Sequence, residues 1–258
     1  MRDVARRAGV SAATVSHVIN RTRFVSDATR EKVLDAIREL DYSPDLMARI
    51  FKTGKKNLIG FIVPDIANRF FATVIEEVED VIARHQFKLI VANTKETGQR
   101  ETDNIRLLAS GIVDGLIVAS TLKDFSEVGK NVPEGFPMVF IDRTLPHCPC
   151  DSVTISDFDP IYRGTENLLL NGHKRIGYIA GLSRLSTTAE RFGAYRRALA
   201  DHGVPEDPSL VQYADSMARS ARVCAEKLVR QNCTAIIASN NVCLLYTSPS
   251  PRDQRGSR

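Results

Sequence analysis

The sequence predicts an α + α/β chain: a small three-helix N-terminal module, then a larger body of strands alternating with helices. Three observations predict it. The first forty residues place apolar side chains at helical spacing around a single glycine. From residue 57 onward, short apolar runs alternate with amphipathic segments. The basic excess is confined to the module: residues 1–57 hold 12 Lys/Arg against 7 Asp/Glu, leaving 23 of the 35 basic and 24 of the 31 acidic residues for the remainder. A basic module before a near-neutral body points to a polyanionic partner for the first and a separate task for the second.

With 258 residues, 43% hydrophobic and 26% charged, the chain has enough apolar material for a large globular core, which excludes disorder for most of its length. No run approaches the roughly 18 apolar residues of a membrane span, and Met1 to Arg7 is charged with no apolar stretch behind it, so a cytoplasmic protein without membrane contact is expected. The five cysteines, Cys148, Cys150, Cys224, Cys233 and Cys243, are odd in number and scattered, which favours free thiols. Cys148-Pro-Cys150 has no second Cys/His pair at ligand spacing, so no metal and no cofactor are expected.

Val4, Ala5 and Ala8 mark a short helix over residues 2–8 that Gly9 stops. Ser11 caps a second helix reaching Asn20, with Val15, Val18 and Ile19 on its buried stripe and Ala12, Ala13, Ser16, His17 and Asn20 outward. A third helix starts at Ser26 or Asp27 and uses Val33, Leu34, Ile37 and Leu40, up to Tyr42, to close a miniature core. Two short helices joined at a glycine turn make a helix-turn-helix. Ser43 to Gly54 has a cap, a proline at the first helical position and a terminal glycine, and reads as one further short helix, too short to persist alone in water.

The words Asp3-Val4-Ala5-Arg6-Arg7-Ala8-Gly9-Val10-Ser11, Thr14-Val15-Ser16-His17-Val18-Ile19-Asn20, Thr29-Arg30-Glu31-Lys32-Val33, Tyr42-Ser43-Pro44 and Ala48-Arg49 closely resemble the headpiece of the LacI/GalR family of transcriptional regulators. The purine-repressor branch gives the nearest likeness. The resemblance implies that the second helix lies in the major groove of double-stranded operator DNA, with Ala12, Ala13 and His17 at base edges. The alanines offer only methyl contacts, and His17 can donate to guanine or accept from an exocyclic amine. Ser11, Thr14, Ser16 and Asn20 are placed to set register on phosphates, Arg23 falls at a base-reaching position, and Tyr42 and Arg49 belong to the same interface. The family's hinge folds on DNA as a pair, one from each chain of a homodimer, and wedges a leucine into the minor groove. Here that position is Phe51, with Lys52, Lys55 and Lys56 toward phosphates.

In the body, Leu58 to Val63, Leu89 to Ala92, Gly115 to Ala119, Met138 to Ile141, Ile176 to Ala180 and Ala235 to Ala238 read as buried strands. Between them lie helices at 70–85, 102–110, 161–171, 189–202 and 218–231, an alternation that predicts parallel sheets. The resemblance refines this to a periplasmic-binding-protein-like (type I) core of two lobes, the chain crossing between them near Asp142 to Asp157. An effector would sit in the cleft at the carboxyl ends of the strands. The matching positions are Asn68, Phe70, Phe71, Asp142, Thr187, Arg191, Asp215 and Asn240. A carboxylate and a guanidinium beside aromatic walls suit a sugar or related polar metabolite. Leu185 stands where purine repressors carry a base-reading arginine, which argues against a purine.

The expected domains are a headpiece at 1–43, a hinge and linker at 44–56, an effector-binding and dimerisation core at 57–241, and a tail at 242–258. After Asn241 the family pattern stops, and Val242 to Arg258 is polar, Ser/Pro/Arg-rich and without periodicity. It reads as adapter-like sequence outside the fold, leaving the second lobe incomplete with exposed edges. The functional expectation is a repressor controlled by a small effector. A solute-binding protein is the alternative, against which the basic headpiece speaks. Enzyme motifs are absent: Gly181-Leu182-Ser183-Arg184-Leu185 lacks the second glycine of a nucleophile elbow, Gly54-Lys55 lacks the upstream glycine of a phosphate loop, and no GxGxxG occurs.

Overall fold

A computed structural model of the chain describes residues 1–20, 23–42, 56–215 and 218–247. It divides into two units, 1–56 and 57–258. The first holds α1 (Arg2–Ala8), α2 (Ala12–Asn20) and α3 (Asp27–Glu39). Gly9 ends α1 in the left-handed conformation at φ 66°, where a residue without Cβ is at no disadvantage. The core of this unit is Val4, Ala5, Val15, Val18, Val33 and Ala36, with Ile19, Ile37 and Tyr42 packed at its edge. Two expected core residues are not there: Leu34 is 41% exposed and Leu40 44%. Leu34 lies about 100° around the helix from Val33, while Leu40 follows the last helical turn as its C-cap. Ala36 takes the central position instead.

The second unit contains two parallel sheets. The first has the order β2–β1–β3–β4–β5 and is built from β1 (Leu58–Val63), β2 (Lys88–Asn93), β3 (Gly115–Val118), β4 (Met138–Ile141) and β5 (Asp151–Val153). Its helices are α4 (Arg69–Arg84), α5 (Gly98–Ala109) and the short α6 (Phe125–Gly129). Alternation along β1 sends Phe61 and Val63 to the side where α4 lays Phe71, Val74, Ile75 and Val78, and Ile62 to the side where α5 lays Ile105 and Leu108. Both faces are therefore apolar, as a covered parallel sheet requires.

The second sheet has the order β7–β6–β8, from β6 (Ile176–Ala180), β7 (Val211–Tyr213) and β8 (Ala235–Ala238). Tyr178 of β6 packs with Tyr195 and Leu199 of α8 (Ser186–Asp201), and α7 (Phe158–Leu170) joins them through Ile161 and Leu168. Ile179 faces Ala221, Cys224 and Leu228 of α9 (Ala218–Arg230), with Cys243 of α10 (Asn241–Thr247) in the same cluster.

All six expected strands are present, and four of the five helices begin one to four residues before the periodic apolar stretch that reveals them. The first turns of α5 (Gly98-Gln99-Arg100-Glu101) and α8 (Ser186-Thr187-Thr188) are polar and carry no periodic apolar signal. Strand β5 was unexpected because all three of its residues are exposed, so no apolar run marks it. Its pairing with β4 keeps residues 142–153 in the first lobe, so the crossing is narrower than the expected Asp142 to Asp157 and occupies 154–157. The expectation that everything after Asn241 lies outside the fold is also corrected: residues through Thr247 are helical, and Cys243 is fully buried. All five cysteines are free. Among the described residues no helix is long and apolar enough to cross a membrane, and no group of three or more His, Cys, Asp and Glu could hold a metal ion.

Candidate DNA-reading helix and inter-lobe cleft

The second helix is anchored from beneath and open above. Ser11 Oγ accepts the Thr14 amide at 3.1 Å and lies 2.9 Å from Thr14 Oγ1, satisfying one of the orphan donors of the helix start. Val15 and Val18 are buried against the other two helices, which turns Ala12 and Ala13 outward as exposed residues and leaves Thr14, Ser16 and His17 half-exposed. Asn20 ends the helix, and Arg23 is exposed beyond it. Tyr42 is half-buried against the module's core. An ion pair of 2.6 Å between Arg7 and Glu39 ties α1 to the end of α3. Arg49, Phe51 and Lys52, with the short helix expected over Ser43 to Gly54, lie outside the described residues.

In the second unit the loops at the carboxyl ends of both sheets bring together a charged cluster. Asp142, after β4, has positive φ of 64°, and its Oδ2 lies 3.4 Å from Arg143 Nε, within ion-pair reach but without a hydrogen bond. Burial pushes its carboxyl above the ordinary range, with Asp157 and Glu96 adding to the rise and Arg143 and Arg191 opposing it. Arg143 is itself buried and donates to both carboxylate oxygens of Glu96, at 3.0 and 2.8 Å, and to the Ser120 carbonyl at 3.3 Å. Arg191, on α8, pairs with Asp157 at 2.8 Å and donates to the Ser239 carbonyl at 3.0 Å. Asp142 and Arg191 thus share one electrostatic cluster.

The remaining expected cleft residues divide. Asn68 caps α4, accepting the Phe70 amide at 3.1 Å, and reaches the other lobe by accepting from Asn241 Nδ2 at 3.0 Å. Phe70 is exposed and packs edge-on to Phe71 at 5.1 Å between centroids. Phe71 is buried in the first-lobe core with the Arg143 guanidinium 6.0 Å from its ring, so it is a support rather than an open wall. Thr187 is buried in the first turn of α8. Asp215, after β7, accepts from Ser220 Oγ. Asn240 accepts the Cys243 amide at 2.8 Å and so serves as the cap of α10.

Sequence reasoning missed Glu96, Arg143, Asp157, Arg184 and Asn241 as members of this region. Arg143 was within reach, since Asp142-Arg143 directly follows a strand. Glu96 was not: it sits in a glycine-free turn with Lys95 and Glu96 both at positive φ, 51° and 55°, and nothing in the residue types announces that backbone.

Comparison with known proteins supplies the context. Residues 1–45 match the family of bacterial regulatory proteins, lacI family, and residues 56–244 match the periplasmic binding proteins and sugar binding domain of LacI family. The HTH-type transcriptional repressor PurR of Photobacterium profundum is 35% identical over 245 residues, 94% of this chain and 73% of that protein. The PurR of Vibrio parahaemolyticus serotype O3:K6 is 34% identical over 95% of this chain and 74% of its own length. Among solved structures, the lac repressor dimer bound to operator and the anti-inducer ONPF superposes with a TM-score of 0.77 at 25% identity, over 95% of this chain and 74% of that one. The transcriptional regulator CelR in complex with cellobiose gives 0.67 at 28% identity, over 99% and 77%.

Proposed function

From the premise that this chain belongs to the LacI family of bacterial DNA-binding transcriptional regulators, we propose that the open face of α2 reads a palindromic operator as part of a homodimer and that a sugar or related polar metabolite in the inter-lobe cleft tunes operator affinity. The observation that carries the reading is the joint presence, in one chain, of a helix anchored by Val15 and Val18 that exposes Ala12 and Ala13, and a two-lobed core with charged side chains gathered at the strand ends.

The roles follow from residue chemistry. Ala12 and Ala13 present methyl groups that suit thymine methyls, and His17 supplies hydrogen bonding to a base edge. Ser11, Thr14, Ser16 and Asn20 set register on phosphates, and Arg23 reaches a further base. Beyond the headpiece at 1–43, the hinge at 44–56 supplies Arg49 and Lys52 to the backbone and Phe51 as the minor-groove wedge. In the core, which starts at residue 57, Asp142 and Arg191 hold effector hydroxyls, helped by Asn68, Phe70, Thr187, Asp215 and Asn240, with Phe71 backing them. A regulator relays binding between two sites: an effector that prefers one lobe arrangement shifts the population and with it the affinity for DNA. Leu185, buried at the start of α8, offers no hydrogen bond to a base, which favours a sugar over a purine. The chain acts in the cytoplasm as a regulator and not as an enzyme, in line with relatives that are transcriptional repressors.

Selection of bound duplexes from a random pool, at two salt concentrations, tests the reading. The proposal requires a palindromic consensus with a deformable central step. Recovery of no consensus, with binding that added salt abolishes, would reduce the interaction to phosphate attraction and overturn it.

A further inference from the structure

We propose that Arg184 is an inter-lobe latch: a positioning residue of the second lobe whose guanidinium holds two backbone carbonyls of the first lobe and so sets how the lobes meet across the cleft. Arg184 Nε donates to the Thr121 carbonyl at 2.8 Å, and its NH2 group donates to the Glu96 carbonyl at 2.9 Å. One planar fork therefore spans the loops that follow β3 and β2, and a fork needs its two acceptors at fixed spacing.

The first lobe fixes them. Thr121 is held from behind by Glu101, which is fully buried and whose Oε2 accepts both the Thr121 amide and its hydroxyl at 2.6 Å; the Ser120 hydroxyl donates to the other oxygen. Glu96 is held through its side chain by Arg143, which also donates to the Ser120 carbonyl. Glu101 and Arg143 thus tie both loops into one rigid acceptor pair. Because both acceptors are neutral carbonyls, release of Arg184 strands no buried carboxylate, so the latch can open without leaving a broken ion pair. It acts beside the Asp142 and Arg191 cluster and biases the lobe equilibrium before any ligand arrives. The inference rests on reading the core as a two-lobed receptor, but its test needs neither DNA nor effector, so the two readings fail separately.

A second crossing supplies the reporter: the Thr144 amide of the first lobe donates to Ser186 Oγ of α8 at 3.0 Å, and Thr144 is otherwise exposed. Site-resolved hydrogen exchange is measured on the full chain and on its Arg184→Ala and Arg184→Lys variants. The latch requires at least tenfold faster exchange at Thr144 in Arg184→Ala, partial recovery in Arg184→Lys, and no change at Ala119, whose amide is bonded to the Ile62 carbonyl inside the first lobe. Unchanged exchange at Thr144 overturns the proposal. Equal acceleration at Thr144 and Ala119 also overturns it, because Arg184 would then support the fold as a whole.

Discussion

Arg191 and Asp157 form a 2.8 Å ion pair in which each side chain is only 22% exposed, and another nitrogen of the same guanidinium donates to the Ser239 carbonyl at 3.0 Å. The pair joins α8 to the residue just before α7 and to the loop after β8. Removing one partner leaves a poorly hydrated charge behind. Arg191→Ala is therefore expected to cost about 2 kcal/mol, below the range for fully buried pairs because some solvent reaches this one. Asp157→Asn in the same chain should return part of that loss. Denaturant titration of Arg191→Ala, of Asp157→Asn alone and of the double variant measures it, and additive losses would show that the two residues are not coupled.

At the start of the DNA-reading helix, Ser11→Ala removes the cap on the Thr14 amide and should lower headpiece stability by about 1 kcal/mol, read from thermal melting. Thr14→Ala tests the phosphate role instead. It is expected to weaken binding to the selected operator and to an unrelated duplex by the same factor; a loss confined to the operator would move Thr14 into base reading.

His17→Ala should do the opposite. The half-exposed imidazole on the open face of α2 is assigned to one base pair, so its loss should relax preference at that position at a cost of about 1–3 kcal/mol and leave the others unchanged. Repeating the selection with the variant measures this directly, and an unaltered preference profile would remove His17 from base readout.

Glu101 gives the chain a pH signature. Burial raises its carboxyl above the ordinary 4.5, outweighing the hydrogen bonds from Ser120 and Thr121 that pull it down. The folded state then holds the proton more tightly than the unfolded chain. Its contribution to stability is complete below the unfolded value near 4.5 and is lost as the pH rises through the raised folded value. Glu101→Gln keeps an acceptor for Thr121 and a donor for the Ser120 hydroxyl while removing the charge. The stability of the native chain relative to this variant is thus expected to fall as the pH is raised above 4.5, as followed by denaturation at three pH values. A difference that stays constant as the pH rises would show that burial does not raise the Glu101 carboxyl.

Much of this architecture is legible in the residues because burial leaves a periodic trace. Leu58 to Val63 and Ile176 to Ala180 are covered on both faces and read as unbroken apolar runs, and Gly9 marks a left-handed stop that its type alone suggests. Elements without an apolar repeat leave no such trace: β5 is wholly exposed, and the first turns of α5 and α8 bury polar residues, Glu101, Thr187 and Thr188, that no apolar periodicity announces. Leu34 and Leu40 show the converse error, apolar residues that the helix geometry turns to solvent. In the cleft, Asp142 and Arg191 are found by their position after strands. Glu96, which pairs with the neighbouring Arg143, and Asp157, which pairs with Arg191, come from a positive-φ turn and from the segment between lobes, and three-dimensional proximity of that kind has no linear pattern.

The central claim, recognition of a symmetric operator by a dimer through α2, is tested most directly by equilibrium binding of the full chain to two duplexes. One carries the selected palindrome, and the other carries the same sequence with one half-site scrambled. Mismatched base pairs cost about 1–3 kcal/mol each, so the scrambled duplex should bind at least tenfold more weakly at moderate salt, with two chains on the intact site. Equal affinity for both duplexes would contradict the account.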